Sequence, residues 1–409
     1  MAKSKFKVYS SRWFMLVVYM LMAAVNQLLW ITFAPITGDA TKYYGVSDLK
    51  IGLLSMCFMI VYIVVSIPAS WAIDKFGIRI GVGIGAAFTG IFGLLRGFAG
   101  TDYNLLLTAQ IGIAVGQPFI LNAITKLAAR WFPMEERATA AGLGTLSMYI
   151  GILAGMTLTP YLIIGSGISG MLVIYGVVSI VTAFIFLVVM KEEPPTAPCR
   201  PDQEERSLVF DGFMQTLRTK DFLWLMVIFF IGLGVFNAVT TWIEDIMRPR
   251  GFSATQAGIT GGLMIIGGIV GALIIPLLSD FYRKRTPFII IALIGATIGL
   301  IGIAFATTFW LLLLSGTVLG FFLLSSGPIG FQYGAEITYP ASEGTSNGML
   351  LLMGQISGIA FIFGMDSLKS QSTGSMTRSL IFLIGLMLLS VLISFRLKES
   401  VILTREADK

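Results

Sequence analysis

"WAIDKFGIR" (residues 71–79) closes an uncharged apolar stretch on Asp74, Lys75 and Arg79, and "LLSDFYRKR" (residues 277–285) closes another on Asp280, Arg283, Lys284 and Arg285. The same ending, an acid followed by bases, in both halves of one chain predicts two halves built alike. The composition says what they are built for. The 409 residues are 56% hydrophobic and only 12% charged, with a mean hydropathy of +0.86. A soluble domain carries about 25% charged residues, so the bulk of this chain is expected to sit in lipid.

Uncharged windows run over 13–38, 51–73, 80–95, 103–125, 138–190, 222–243, 251–279, 286–335, 344–365 and 379–395. Crossing a bilayer takes roughly 20 apolar residues. Windows 138–190 and 286–335 are twice that, and are expected to bend at "GSGISG" (165–170) and near "ATTFW" (306–310). Window 80–95 continues past Arg96 to about residue 100. The expectation is an all-α polytopic membrane protein with twelve transmembrane helices. The polar stretch "KEEPPTAPCRPDQEERSLVFDGFMQTLRTKD" (191–221) divides them six and six, giving an N-terminal half (1–190), a cytoplasmic linker (191–220) and a C-terminal half (221–409). Within the linker, "SLVFDGFMQTL" reads as a short amphipathic helix on the membrane surface. Gly151/Gly155 and Gly267/Gly271, each pair four residues apart, predict close helix packing.

Basic residues collect on the cytoplasmic side. With the N-terminus inside, twenty-one Lys and Arg fall in the termini and even-numbered loops and six in the odd-numbered loops. Both termini are therefore expected in the cytoplasm, with the protein in the plasma or inner membrane, and the positive net charge needs no nucleic-acid partner. The first window is too long for a leader-peptide core and reads as a retained helix. Cys57 falls in helix 2 and Cys199 in the linker, so no disulfide is expected. The chain has no histidine, and the central parts of helices 1, 4, 7 and 10 have no Asp or Glu. Neither a proton-coupling group nor a metal or cofactor site is thus expected. "GVGIG" (81–85) lies inside a helix with no strand before it and fails as a phosphate loop. No enzyme constellation is present. Arg96 is expected to snorkel to the outer interface, with anion binding as the alternative, and Glu244 and Asp245 to be loop acids, solvated or attracting cations.

The paired endings, the twelve helices and the central linker resemble the major facilitator superfamily, whose motif follows helices 2 and 8. The match departs at Ala69 and Ser70, where that motif begins with glycine. Three segments, "SMCFMIVYIVVSIPASWAIDKFGIR" (55–79), "GQPFILNAITKLAARWF" (116–132) and "IGFQYGAEITYPASEGTSNGMLLLMGQISG" (329–358), resemble the feline leukaemia virus subgroup C receptor family. The resemblance implies an alternating-access facilitator of choline- or ethanolamine-type cargo, with haem and pyridoxine as further cargoes of family members. It implies that Trp30, in "VNQLLWITF", faces cationic cargo, for which an indole face is suited. The other reading of Trp30, a place in the outer aromatic belt, stays open. It also implies cargo contacts from Gln117 and Gln355. Asn237, in "GVFNAVTTWIE", stands where the choline-transporting relatives have tyrosine, so a more hydrogen-bonding cargo is expected.

Residue chemistry adds Asn26, Asn122 and Gln332 as polar groups in apolar spans. Pro118 frees the carbonyl of Ala114 and predicts a polar notch beside Gln117. For each glutamine an interhelical hydrogen bond is the alternative. Asp74, Lys75, Arg79, Asp280 and Arg283 are expected at cytoplasmic contacts that break and re-form, with Glu336 and Glu343 nearby. The function expected is a monomeric uniporter of a small organic cation or polar metabolite, with lipid and substrate as its only partners. The alternatives are an organic-anion, haem or carboxylate transporter, and a receptor or sensor that moves no cargo.

Overall fold

In hydrocarbon every backbone N–H and C=O must find its partner inside the segment, and a helix does this alone. The computed structural model describes residues 7–198, 216–339 and 343–399, and among these there is no strand. The helices are α1 (Ser11–Ile31), α2 (Thr37–Tyr44), α3 (Asp48–Gly97), α4 (Tyr103–Leu121), α5 (Ile124–Trp131) and α6 (Met134–Val189). They continue as α7 (Lys220–Thr241), α8 (Ile243–Met247), α9 (Ala254–Phe281), α10 (Thr286–Phe305), α11 (Phe309–Thr338), α12 (Glu343–Ser367) and α13 (Thr377–Ser394). Cys199 and most of the expected amphipathic linker helix lie outside the described residues.

Among the described residues, ten stretches are long and apolar enough to cross a membrane. Two of them are hairpins. The 50 residues of α3 and the 56 of α6 would each exceed about 70 Å as straight rods, against a hydrocarbon core of about 30 Å. Each contains a glycine in the left-handed region with extended ψ, Gly77 (φ 86°, ψ 179°) and Gly167 (φ 66°, ψ 178°). A side chain there would be strained. The chain reverses at both. A Cβ on Gly81 would lie 2.7 Å from Cγ1 of Ile73, though eight residues of continuous helix span about 12 Å. The hydroxyls of Thr159 and Tyr175 meet at 2.9 Å across the second reversal. Twelve spans result, as the charge-free windows predicted, and the second reversal falls inside "GSGISG".

The chain forms two compact units, residues 1–33 with 39–206, and residues 34–38 with 207–409. Each holds six spans, paired alike. First packs on fifth: Gly155 lies against the carbonyl of Leu28 in the first unit, and Asn237 reaches the carbonyl of Gly354 in the second. Second packs on fourth, through Tyr62 and Asn122 in one and through Gly267 against the carbonyl of Thr317 in the other. The core of the first unit includes Leu16, Tyr19, Val82, Ile120, Trp131 and Phe186.

Candidate functional site

In the first unit the polar groups of the span interior fall into two classes. Most are tied down. The Trp30 indole N–H donates to the carbonyl of Ser55 at 3.1 Å, and the residue is 6% exposed. Burial on α3 removes Trp30 from the lipid belt and engages its N–H. Asn26 is fully buried and donates to Thr89 Oγ1 at 3.1 Å. Asn122 is the C-cap of α4, where the helix breaks four residues beyond Pro118. Its amide is spent on structure: Nδ2 donates to Ser66 Oγ and Ser70 Oγ, both at 3.0 Å, and Oδ1 accepts from Tyr62 at 2.8 Å. Gln117 differs. It is 6% exposed, and its side chain makes no hydrogen bond among the described residues.

Arg96 does not snorkel. It is fully buried, with Nη1 donating to the carbonyl of Leu29 at 3.0 Å and to Gln110 Oε1 at 2.9 Å, and Nη2 donating to Thr32 Oγ1 at 3.3 Å. Gln110 in turn donates to the carbonyls of Leu29 (3.2 Å) and Leu54 (3.1 Å). The hydrogen-bonding needs of the last turn of α1 outweigh the cost of holding the charge inside.

In the second unit Asn237 Nδ2 donates to the carbonyl of Gly354 at 3.1 Å. The next residue, Gln355, is half-buried and makes no side-chain hydrogen bond among the described residues. Gln332 is exposed and donates to Glu336 Oε1 at 3.1 Å, which places it in an ion cluster at the end of α11. Glu244 and Asp245 are not solvated loop acids: they are 4% and 0% exposed. Glu244 Oε2 accepts from the Gly38 N–H and from Arg248, both at 3.0 Å, while Asp245 takes Arg248 and, at 3.0 Å, Lys369. Basic neighbours thus neutralise both acids.

The two acid-then-base endings are built differently. Asp74 and Lys75 are exposed; Lys126 Nζ lies 3.5 Å from the Asp74 carboxylate but 2.6 Å from the carbonyl of Ile73, and Lys75 sits over the Trp71 ring at 4.7 Å. The Arg79 N–H donates to Glu192 Oε2 at 2.8 Å. The Asp280 carboxylate pairs with Arg285, while Arg283 takes a left-handed conformation (φ 50°) and donates its N–H to the Asp280 carbonyl at 3.1 Å. Arg285 also binds Glu336 through Nη2 at 3.0 Å. Burial alone would lower the pKa of Arg285; its bonds to the carboxylates of Asp280 and Glu336 outweigh that, and the pKa is raised. Glu343 begins α12, and its side chain lies outside the described residues.

The sequence pattern of the Major Facilitator Superfamily matches residues 15–362. The chain belongs to the major facilitator superfamily. This superfamily member is 31% identical to solute carrier family 49 member A3 of Xenopus tropicalis over 88% of its own length and 78% of that protein's. It is 27% identical to the choline/ethanolamine transporter FLVCR2 of Rattus norvegicus, covering 96% of this chain and 75% of that one. The resemblance drawn from the three quoted segments is therefore shown. Its fold is also that of a bacterial homologue of the human lysosomal transporter Spinster, with a TM-score of 0.77 at 15% identity, over 96% of this chain and 98% of the other. It is an integral multi-pass membrane transporter of the superfamily and not an enzyme.

Three positions on this transporter were not read from sequence. Gln110 precedes Gln117 by two helical turns, so the i, i+7 spacing of the two glutamines was an available signal. Glu192 and Glu399 had none, because what they cap is brought to them only by the fold.

Proposed function

We propose that this transporter is a single-subunit facilitator that carries a small organic cation or polar metabolite, of the size of a choline-like amine, down its gradient by alternating access. On this reading both termini lie on the cytoplasmic side of the cell membrane, as the distribution of Lys and Arg supports. One observation carries the cargo reading: Gln117 and Gln355 hold amides in the span interior without a protein partner, while Asn26, Gln110, Asn122 and Asn237 all have one. A polar side chain left without a protein partner inside a membrane span is a group that something else can bind. The candidate cargo contacts are Trp30 and Gln117 in the first unit, and Asn237 and Gln355 in the second. The choline/ethanolamine transporters among the relatives support the size and polarity of the cargo, and the absence of buried carboxylates from the spans of the first unit supports uniport.

Counterflow in proteoliposomes tests this. Exchange of labelled for unlabelled choline or ethanolamine with no ion gradient is the expected result, together with no accumulation when a pH gradient is imposed at clamped potential. Accumulation driven by the pH gradient would end the uniporter reading, and binding without exchange would make the protein a sensor.

A further inference from the structure

Arg96 is the one fully buried charged side chain among the described residues of the first unit, and no carboxylate there is buried with it. Its partners are the carbonyl of Leu29, the amide oxygen of Gln110, the hydroxyl of Thr32 and, at 5.7 Å, the Phe33 ring. All are neutral. Its Nε is buried with no partner. A guanidinium stays protonated throughout the accessible pH range. The strongest compensation on hand is the C-terminal end of α1, whose dipole amounts to about half a negative charge. About half a positive charge therefore remains uncompensated in a medium that screens poorly.

That charge sits beside Trp30. Leu29, whose carbonyl Arg96 holds, is the neighbour of Trp30 in the chain. Gln110 links Arg96 to the carbonyl of Leu54, and the indole N–H takes the next carbonyl, that of Ser55. Guanidinium and indole are thus fastened to the same turn of α1 and the same turn of α3. A cation stacked on the indole gains from the ring and is repelled by Arg96; a neutral molecule of the same shape keeps its packing and meets no repulsion. We infer that Arg96 is a specificity-determining charge that selects against cations at Trp30, so that the native cargo is a neutral or zwitterionic polar metabolite. This rests on the reading of Trp30 as a cargo wall.

The test uses the full chain in lipid nanodiscs and two probes of one shape, choline and its uncharged carbon analogue 3,3-dimethylbutan-1-ol. Affinities are measured for the wild type, Arg96→Lys, Arg96→Gln and Gln110→Glu. Arg96→Gln removes the charge and should raise the choline-to-alcohol affinity ratio about tenfold. Gln110→Glu keeps an acceptor on Arg96 and neutralises it, and should raise the ratio likewise even where Arg96→Gln fails to fold. Arg96→Lys keeps the charge and should leave the ratio within about threefold. A purely structural Arg96 would weaken both probes alike. A ratio unmoved in Arg96→Gln and Gln110→Glu, with both probes bound, would overturn the inference and leave the transport reading intact. Failure of either probe to bind any of the proteins would overturn the choline-sized cargo itself, and the inference with it.

Discussion

The cytoplasmic end of the second span and that of the eighth carry nearly the same residues, and the third and ninth spans begin under the same cap. The Arg79 N–H donates to Glu192 at 2.8 Å and the Arg285 N–H to Glu399 at 2.7 Å, across separations of 113 and 114 residues. In each half a glutamate just past the sixth helix satisfies an amide at the positive end of the third. There the likeness ends. Around Asp74 the ion pair is long and half in water, whereas around Asp280 a buried arginine gathers two carboxylates and the hydroxyl of Ser279. Both halves place a positive φ three residues after the aspartate, at Gly77 and at Arg283. The difference lies in the arginine two residues further on: Arg79 is exposed, whereas Arg285 is buried between Asp280 and Glu336. Similar sequence thus bears different loads, and perturbation separates them.

The largest effect is expected at Arg285. Its side chain and that of Glu336 are each 8% exposed, so Arg285→Gln strands a buried carboxylate, and breaking such a pair costs about 3–5 kcal/mol. Thermal unfolding of the purified protein should show a drop of several degrees. Adding Glu336→Gln should recover part of it, as a coupled pair requires. A single variant as stable as the wild type would mean that the two endings bear the same load after all.

The proposed cargo contacts come next. Trp30→Ala should weaken binding of a cationic probe such as choline by about 1–2 kcal/mol, five- to thirtyfold, and Trp30→Phe by less. Asn237→Tyr supplies the ring that the family resemblance implies for choline transporters, so choline should bind more tightly while a cargo bonded to the amide binds more weakly. Normal binding by a folded Trp30→Ala protein would remove Trp30 from the proposed cargo contacts, and indifference of Asn237→Tyr to choline would remove Asn237.

Most of the fold could be read before any coordinates, because membrane spans announce themselves by length and charge: the charges at 74–79 separate two spans, and "GSGISG" marks the reversal inside the 138–190 window. The polar residues were legible as a set but not in their roles. Asn122 and Gln117 look alike in sequence, and only packing shows that the first is saturated by Tyr62, Ser66 and Ser70 while the second is not. Arg96 was misplaced for a related reason. Snorkelling assumes that the nearest polar medium is outside, and here the carbonyl end of α1, with Gln110, offers a closer one inside. Glu244 and Asp245 were misplaced as well: Arg248, four and three residues further on, was legible from spacing, but Lys369 is brought to Asp245 only by the fold.

The smallest stability effect is expected at Asp74, and it gives the comparison its sharpest form. The Asp74 side chain is 53% exposed and its contact with Lys126 is 3.5 Å, a pair of the kind that contributes about 0.2–1 kcal/mol. Asp74→Asn should therefore leave thermal stability nearly unchanged, while Asp280→Asn, which removes one of two carboxylates from a buried arginine, should lower it measurably. If the first ending acts at a contact remade in each transport cycle, Asp74→Asn should still slow counterflow more than it weakens equilibrium binding. Lys126→Gln should be the more damaging change on that side, because the ammonium holds the carbonyls of Ile73 (2.6 Å) and Asp74 (3.2 Å) at the end of the second span. Weakened binding with an unchanged counterflow rate in Asp74→Asn would place that aspartate with the cargo instead of with the moving contact.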